Sequence, residues 1–546
     1  MHGGIDEEAM ISEQDWIATR HIPFDYRGPT DRPFEPFGDP ALAVPIAERL
    51  QSIAARYARE VAVVDDHGTL TFGQLMRQVD RLTAAILRQP SAPGPIAVLL
   101  PAGRAYVVAM YACLATGRIA TLLDASFPEA RNAAVAAKVK ATLVLASPDA
   151  QLAGAALPVV PVDVDSDDAM GLSAIDHAVR RNMFDLDAAA LILCTSGSTG
   201  VPKAIAHSQR NILHLARVAY DALHVRTDDR VMPLSSPTTL GGLTPLFSYP
   251  LGGASLHLID IKARGISGIL SDLKNSPITI LRAAPSMLRG LARVPDSAPA
   301  FARLRIVQTY GESFTLADLR NLRAALPAQC FVRTTYGATE CSGLSWYADE
   351  RDRHDPIRVP NGTLMPDTEA VILDPSGRAC ARGEAGELVI RSRYNALGEI
   401  LDGRLVGGTL EPDPIDPARR IYRTGDLARC DRDGVFIVLG RRDRMIKFNG
   451  QRLELGEIEH LLRRHADVEE AEVLAHTRQS TTTLCAFVVA KPGRGEGLVD
   501  SLRKLLRSAL PAYMVPSKIL VIPRIPMLPG GKVDAQGLLA IVGKGE

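Results

Sequence analysis

Between residues 43 and 147 two apolar patterns alternate, and this alternation restricts the possible fold more than any other feature of the chain. "AVPIAERLQSIAARYA", "TFGQLMRQVDRLTAAIL", "AYVVAMYACLA" and "EARNAAVAAKV" repeat their apolar side chains at helical spacing. Between them lie "VAVVDD", "PIAVLLP", "IATLLD" and "ATLVLAS", short apolar runs of the kind that form strands. A continuous apolar strand is covered on both faces, and strands that alternate with helices pair in parallel, so an α/β architecture is expected. After about Pro360 the texture changes. "EAVILD", "GELVIRS", "RRIYRTGDLARCD" and "GVFIVLG" are short strands punctuated by Gly, Asp and Arg, as in a small β-barrel or antiparallel layer. The charged stretch "GRRDRMIKFNG" at 440–450 reads as a linker, followed by an independent helix and strand pattern. The expectation is therefore an N-terminal arm (1–40), a large domain of layered α/β sheets plus a small barrel (41–440), and a small mobile α+β domain (441–546). The arm, with "RGPTDRPFEPFGDP", is read as chain laid over the surface rather than as an element.

Composition narrows the function. Lysine plus arginine and aspartate plus glutamate both count 62, which gives no electrostatic case for nucleic acid or a membrane surface. Seven cysteines lie scattered with no CxxC spacing, so neither a disulfide framework nor a zinc site is expected. The N-terminus carries acids where a signal peptide needs a basic start, and no run approaches the roughly 18 apolar residues of a membrane span. A cytoplasmic protein acting on a small molecule is the expectation.

"CTSGSTGVPK" at 194–203 breaks an apolar strand into glycines and hydroxyls. Glycine lets backbone N–H groups encircle an anion, and Thr195, Ser196, Ser198 and Thr199 can donate to phosphate oxygens. The Walker pattern is excluded, because Pro202 precedes Lys203 and no Ser or Thr follows it. Taken alone, the same run reads more readily as a surface turn.

The wider stretch "LILCTSGSTGVPKAIAHSQRNI" resembles the phosphate-loop signature of the adenylate-forming superfamily, which comprises acyl- and aryl-CoA ligases, luciferases and peptide-synthetase adenylation domains. Five more segments resemble it in order: "YGATE", "GELVI", "YRTGDLAR", "GRRDRMIKFNGQRLELGEIE" and "LPAYMVPSKILVIPRIPMLPGGKVD". The last three are most similar to the peptide-synthetase branch. The resemblance implies ATP- and Mg2+-dependent activation of a carboxylic acid to an acyl adenylate, then transfer to a thiol.

It also implies roles. Lys532 matches the catalytic lysine that contacts the carboxylate and the bridging oxygen, Thr339 the residue at the α-phosphate, and Glu340 the magnesium ligand. Thr195, Ser196, Gly197, Ser198, Thr199, Gly200 and Lys203 would cradle phosphates. Tyr336 would face adenine, Asp426 would accept from the ribose hydroxyls, and Gly311, Glu312, Gly337 and Arg441 would complete the nucleotide site. Asp443 matches the hinge, with Lys447 and Gly450 facing the acceptor after rotation.

Alignment on "GASL" places Leu240, Gly241, Thr244, Arg282, Gln308, Tyr310, Thr335 and Leu344 on the acyl pocket wall. Amino-acid-activating relatives carry an aspartate where Leu240 stands, so an α-amino acid lacks its counter-charge here. Arg282 either pairs with a polar oxygen or second carboxylate of the substrate, or turns outward to an internal acid. No carrier or condensation motif is recognised, which suggests a stand-alone enzyme. Its expected acceptor is the phosphopantetheine of a separate carrier protein. Coenzyme A, an amino-acid adenylation role and a catalytically inactive nucleotide-binding protein are the alternatives.

Overall fold

The structure is a computed structural model that describes residues 11–543 except 19–22, 31–32, 91, 149–156, 166–183, 196–201, 442–444, 449–450, 479–480, 492, 496 and 527–532. The alternating segments fold as the periodicities require. Helices Ile46–Arg56, Phe72–Leu87, Arg104–Ala115 and Glu129–Lys138 separate strands Val61–Asp65, Ile96–Leu100, Ala120–Asp124 and Leu143–Ala146. Thr71 opens the second helix with a reciprocal capping box to Gln74.

The strands do not join one sheet but two, and both are mixed. One has a parallel core made by Leu143–Ala146, Ile96–Leu100, Ala120–Asp124 and Ala189–Thr195, continued antiparallel by Lys203–Ser208 and Gly398–Leu401. The other runs parallel through Val61–Asp65, Ser255–His257, Arg230–Leu234, Ile280–Ala283, Ile306–Tyr310 and Phe331–Gly337, with antiparallel strands at both edges. The main core draws on both sheets. Arg104–Ala115 is buried almost all round, as an apolar helix without a polar face must be.

After Pro360 the expected antiparallel layer is a six-stranded sheet built on Thr368–Leu373, Ala385–Ser392 and Arg420–Cys430. The N-terminal arm takes part in it, contrary to the reading that it forms no element. Ile17–Ala18 pairs antiparallel with Ala370 and Glu369, Glu13 pairs with Arg391 at 2.6 Å, and the Arg391 guanidinium lies 4.3 Å from the Trp16 ring centroid. Arg391 is buried on its strand, and Trp16 and Glu13 give it a ring face and a counter-charge.

Phe436–Arg441 ends that sheet. Beyond it Met445–Phe448 pairs, among the described residues, with Gln451–Glu454 alone, and Val468–Arg478, Thr481–Ala490 and Lys518–Val521 form a separate three-stranded sheet with its own apolar core. The small unit touches the large one through a buried ion pair, Arg131 to Glu457 at 2.5 Å, and through Phe127 against Tyr513. All seven cysteines are free thiols. Among the described residues no helix is long and apolar enough to cross a membrane.

Candidate active site

A cavity of about 170 Å3 opens at the carboxyl ends of Ile280–Ala283, Ile306–Tyr310 and Phe331–Gly337, where an open parallel sheet offers its ligand site. Its walls hold seven of the eight residues expected around the acyl group: Leu240, Gly241, Thr244, Arg282, Gln308, Tyr310 and Thr335. Leu344 is the exception. It is fully buried in the apolar cluster of Tyr336, Ile205 and Ile390 and does not reach the cavity wall.

Thr239 caps helix Leu240–Ser248 through the Gly242 N–H at 3.2 Å, which sets Leu240 and Gly241 at the mouth. A side chain at Gly241 would strike the Tyr310 ring, whose edge lies 2.2 Å from the position of a Cβ, so the ring packs directly on the helix backbone. Tyr310 shares a 2.7 Å hydrogen bond with Ser235. Thr244 spends its hydroxyl on the Leu240 carbonyl, leaving its methyl group for the cavity.

Part of the set expected around the nucleotide meets the same cavity, whereas Lys203, Glu340 and Glu312 are not on its lining. Thr195, Gly311, Tyr336, Gly337, Thr339 and Asp426 line it. Thr195 ends one strand and Lys203 begins the next, the two being paired across an antiparallel hairpin, so the phosphate loop lies between neighbouring strands rather than between a strand and a helix. Lys138 anchors the hairpin's far side by donating to the Pro202 carbonyl at 2.7 Å. The buried Thr195 Oγ1 has no hydrogen-bond partner among the described residues and stands at the cavity wall. The rest of the loop (Ser196, Gly197, Ser198, Thr199 and Gly200), together with Lys532, Asp443 and Gly450, lies outside the described residues. Arg441 and Lys447 sit on strands Phe436–Arg441 and Met445–Phe448.

The Tyr336 hydroxyl donates to Asp426 Oδ2. Burial first, then the Asp426 charge, push this phenol well above its ordinary range, so it remains a donor and fixes the carboxylate. Glu340 is fully buried, and its carbonyl accepts from Ala396 N–H at 2.8 Å. His207 lies against Thr339 and Glu340; burial lowers its pKa to about 4, so the ring beside this carboxylate is neutral. Glu312 stands apart from the cavity lining. Its carboxylate accepts from the N–H and hydroxyl of Ser286, both at 2.9 Å, and caps helix Pro285–Ala292.

Among the lining residues that sequence reasoning missed are Arg333, Arg131, Phe127 and Tyr513. Arg333 carries a readable signal, since it stands two residues before Thr335 on one strand and therefore on the same face. The other three depend on how the small unit packs, which no local pattern reports. Cys194 also lines the cavity, but burial raises its thiol to about 12 and keeps it protonated.

A cavity at the carboxyl edge of a parallel sheet, walled by Thr195 and by a phenol-held carboxylate, is the ligand site of an α/β fold. The chain belongs to the AMP-binding enzyme family, which matches residues 50–398, and the AMP-binding enzyme C-terminal domain matches residues 457–532. Enzymes of this family are adenylate-forming ligases. The chain is 31% identical over 501 residues to phosphinothricin tripeptide synthetase PhsC of Streptomyces viridochromogenes, covering 90% of this chain but 44% of that protein. It spans less than half of that relative's length. It is 28% identical to novobiocin biosynthesis protein H of Streptomyces niveus, covering 91% of this chain and 83% of that protein. Among solved structures, an NRPS protein containing adenylation and PCP domains matches with a TM-score of 0.77 at 23% identity, covering 92% of this chain and 85% of that one. That likeness shows the fold.

Proposed function

We propose that this chain activates a carboxylic acid other than an α-amino acid with MgATP and passes the acyl group to the phosphopantetheine thiol of a separate carrier protein. The observation that carries the reading is the convergence, on one cavity, of Thr195, Thr339 and the Tyr336–Asp426 pair with the acyl-pocket residues. In the first step a substrate carboxylate oxygen attacks the α-phosphorus, and the bond to the β-phosphate bridging oxygen breaks to release pyrophosphate. Charge builds on phosphate oxygens, and fixed donors placed there supply most of the rate. Thr195, Ser196, Ser198, Thr199 and Lys203 hold the leaving phosphates with the backbone of Gly197 and Gly200. Thr339 meets the α-phosphate, and Glu340 offers the hard oxygen that Mg2+ favours. Asp426, aimed by Tyr336, accepts from the ribose, with Gly311, Gly337 and Arg441 beside the nucleotide. Lys532 neutralises the carboxylate and bridging oxygen.

In the second step the acceptor thiolate attacks the acyl carbonyl and AMP leaves, the thiol proton passing to solvent. We assign the boundary between 441–546 and the large domain to a hinge at Asp443, with Lys447 and Gly450 facing the acceptor once it turns. The peptide-synthetase-like C-terminal motifs support a carrier as acceptor over coenzyme A. Against an α-amino acid stands the lining itself, in which Leu240 occupies the place of an acid and Asp426, engaged by Tyr336, is the one carboxylate among the described lining residues.

Pyrophosphate release with MgATP, across α-amino, aryl, dicarboxylic and short acyl acids, tests this reading. Release with non-amino acids, abolished in Lys532→Ala, is expected. Release confined to α-amino acids would overturn the substrate class, and silence across the panel would favour an inactive nucleotide-binding protein.

A further inference from the structure

The deepest wall of the cavity is a row of polar side chains. Neighbouring parallel strands place Arg282 opposite Gln308, and Gln308 opposite Arg333, so the three side chains share one sheet face. All three line the cavity and are 3%, 2% and 1% exposed. Their hydrogen-bonding capacity is largely unspent: Arg282 Nε, Gln308 Oε1, and Arg333 Nε and Nη2 are buried with no hydrogen-bond partner. Arg282 makes long contacts, 3.4 Å to the Tyr249 hydroxyl and 3.5 Å to the Gly241 carbonyl, and its guanidinium also meets the Tyr310 phenol. Among the described residues neither guanidinium has an ion-pair partner, and Tyr249, Tyr310 and Tyr347 offer them ring faces at 5.4–5.9 Å.

Two buried guanidiniums without a counter-ion among the described residues carry a desolvation cost that ring faces offset only in part. Burial, reinforced by the positive charge of Arg282, pulls the Arg333 pKa down, the direction expected for an uncompensated cation. The third arginine on the lining, Arg131, is already matched by Glu457. The unmatched charge thus sits at one depth. Arg333 is four residues below Gly337 on the same strand, roughly 13 Å at the usual rise per residue, and so lies well under the level of Thr339 where the nucleotide phosphates are placed. An anion bound there is the far end of the acyl substrate rather than ATP.

We propose that Arg282, Gln308 and Arg333 form an anion subsite, and that the substrate is a dicarboxylic acid whose second carboxylate seats between the two guanidiniums while the first is adenylated. The subsite rests on the adenylation reading for the role of the first carboxylate. Each guanidinium presents a planar fork that matches a carboxylate edge, and the Gln308 amide adds a donor between them. The spacer between the two carboxylates passes Tyr310 and Thr335, so it is at least partly apolar.

The test uses the full chain with MgATP and reads kcat/KM for pyrophosphate release on diacids of graded length, their monomethyl esters, and α-amino acids of equal length. One diacid is expected to exceed its own monoester by about a hundredfold, the loss anticipated when two buried cations are left unpaired. Arg333→Gln and Arg282→Gln should collapse that ratio, and Arg333→Lys should restore part of it. A monoester or an α-amino acid turned over as well as the diacid overturns the subsite while leaving adenylation standing. Silence with every acid overturns adenylation instead. In that case thermal melts with the diacids alone decide: a rise with a diacid and none with its ester supports the anion subsite, and no rise overturns it. Should a variant fail to fold, the wild-type ratio of diacid to monoester decides alone.

Discussion

Tyr336 does more than line the cavity. Its hydroxyl holds Asp426, so removing one oxygen should loosen a carboxylate that belongs to another sheet. Tyr336→Phe is expected to raise KM for ATP about tenfold, the worth of one charged hydrogen bond, with a smaller change in kcat. An unchanged KM would show that Asp426 is held without the phenol. His207 gives a second expectation at this scale. Its folded pKa of about 4 lies below its ordinary 6.5, so between those values the unfolded chain binds more protons. The stability tied to its neutral ring is therefore complete above about pH 6.5 and is lost as pH falls toward 4. A shift of this size corresponds to roughly 3 kcal/mol. Melting temperature against pH should fall less steeply in His207→Asn than in the parent, and parallel curves would contradict the account. His257, also lowered to about 4 chiefly by burial, adds to the same window.

At the scale of elements, Glu312 separates structure from chemistry. Its short motif matched a loop lining the nucleotide site, yet its carboxylate is spent on Ser286 and, at 3.5 Å, on Arg289. Glu312→Ala should lower stability by about 1–2 kcal/mol, as cap losses do, with KM for ATP changed less than threefold, about 0.7 kcal/mol. Denaturant melts beside ATP titrations check this, and a large KM effect on an unshifted melt would return Glu312 to the nucleotide. The alternation of helices and strands was legible because burial on two faces imposes continuous apolar runs. The division into two mixed sheets was not, since Ala120–Asp124 pairs with Ala189–Thr195 some seventy residues on, and only tertiary packing selects that partner. Seven residues of the cavity wall were legible by aligned motif. Leu344 was misplaced because an apolar residue on a strand fits a pocket wall and a core equally well, whereas Arg333 escaped because no quoted motif included it. The pairing of Ile17–Ala18 in a Pro/Gly-rich arm likewise depends on the edge offered by Thr368–Leu373, far along the chain.

In the whole molecule, the Arg131–Glu457 pair and the Phe127–Tyr513 contact join the small unit to the rim of the cavity. Glu457→Gln leaves Arg131 buried without its counter-charge, and breaking such a pair costs about 3–5 kcal/mol. Small-angle scattering should show a larger radius of gyration for Glu457→Gln, partly reversed when Arg131→Met is added. Equal radii for parent and single variant would mean that other contacts hold the units together. The central claim is that this cavity joins ATP to a carboxylic acid, and the reverse of that step measures it most directly. Incorporation of radiolabelled pyrophosphate into ATP should depend on an added acid without an α-amino group, and should vanish in Lys532→Ala. Exchange that survives that substitution, or its absence with every acid tried, would contradict the account.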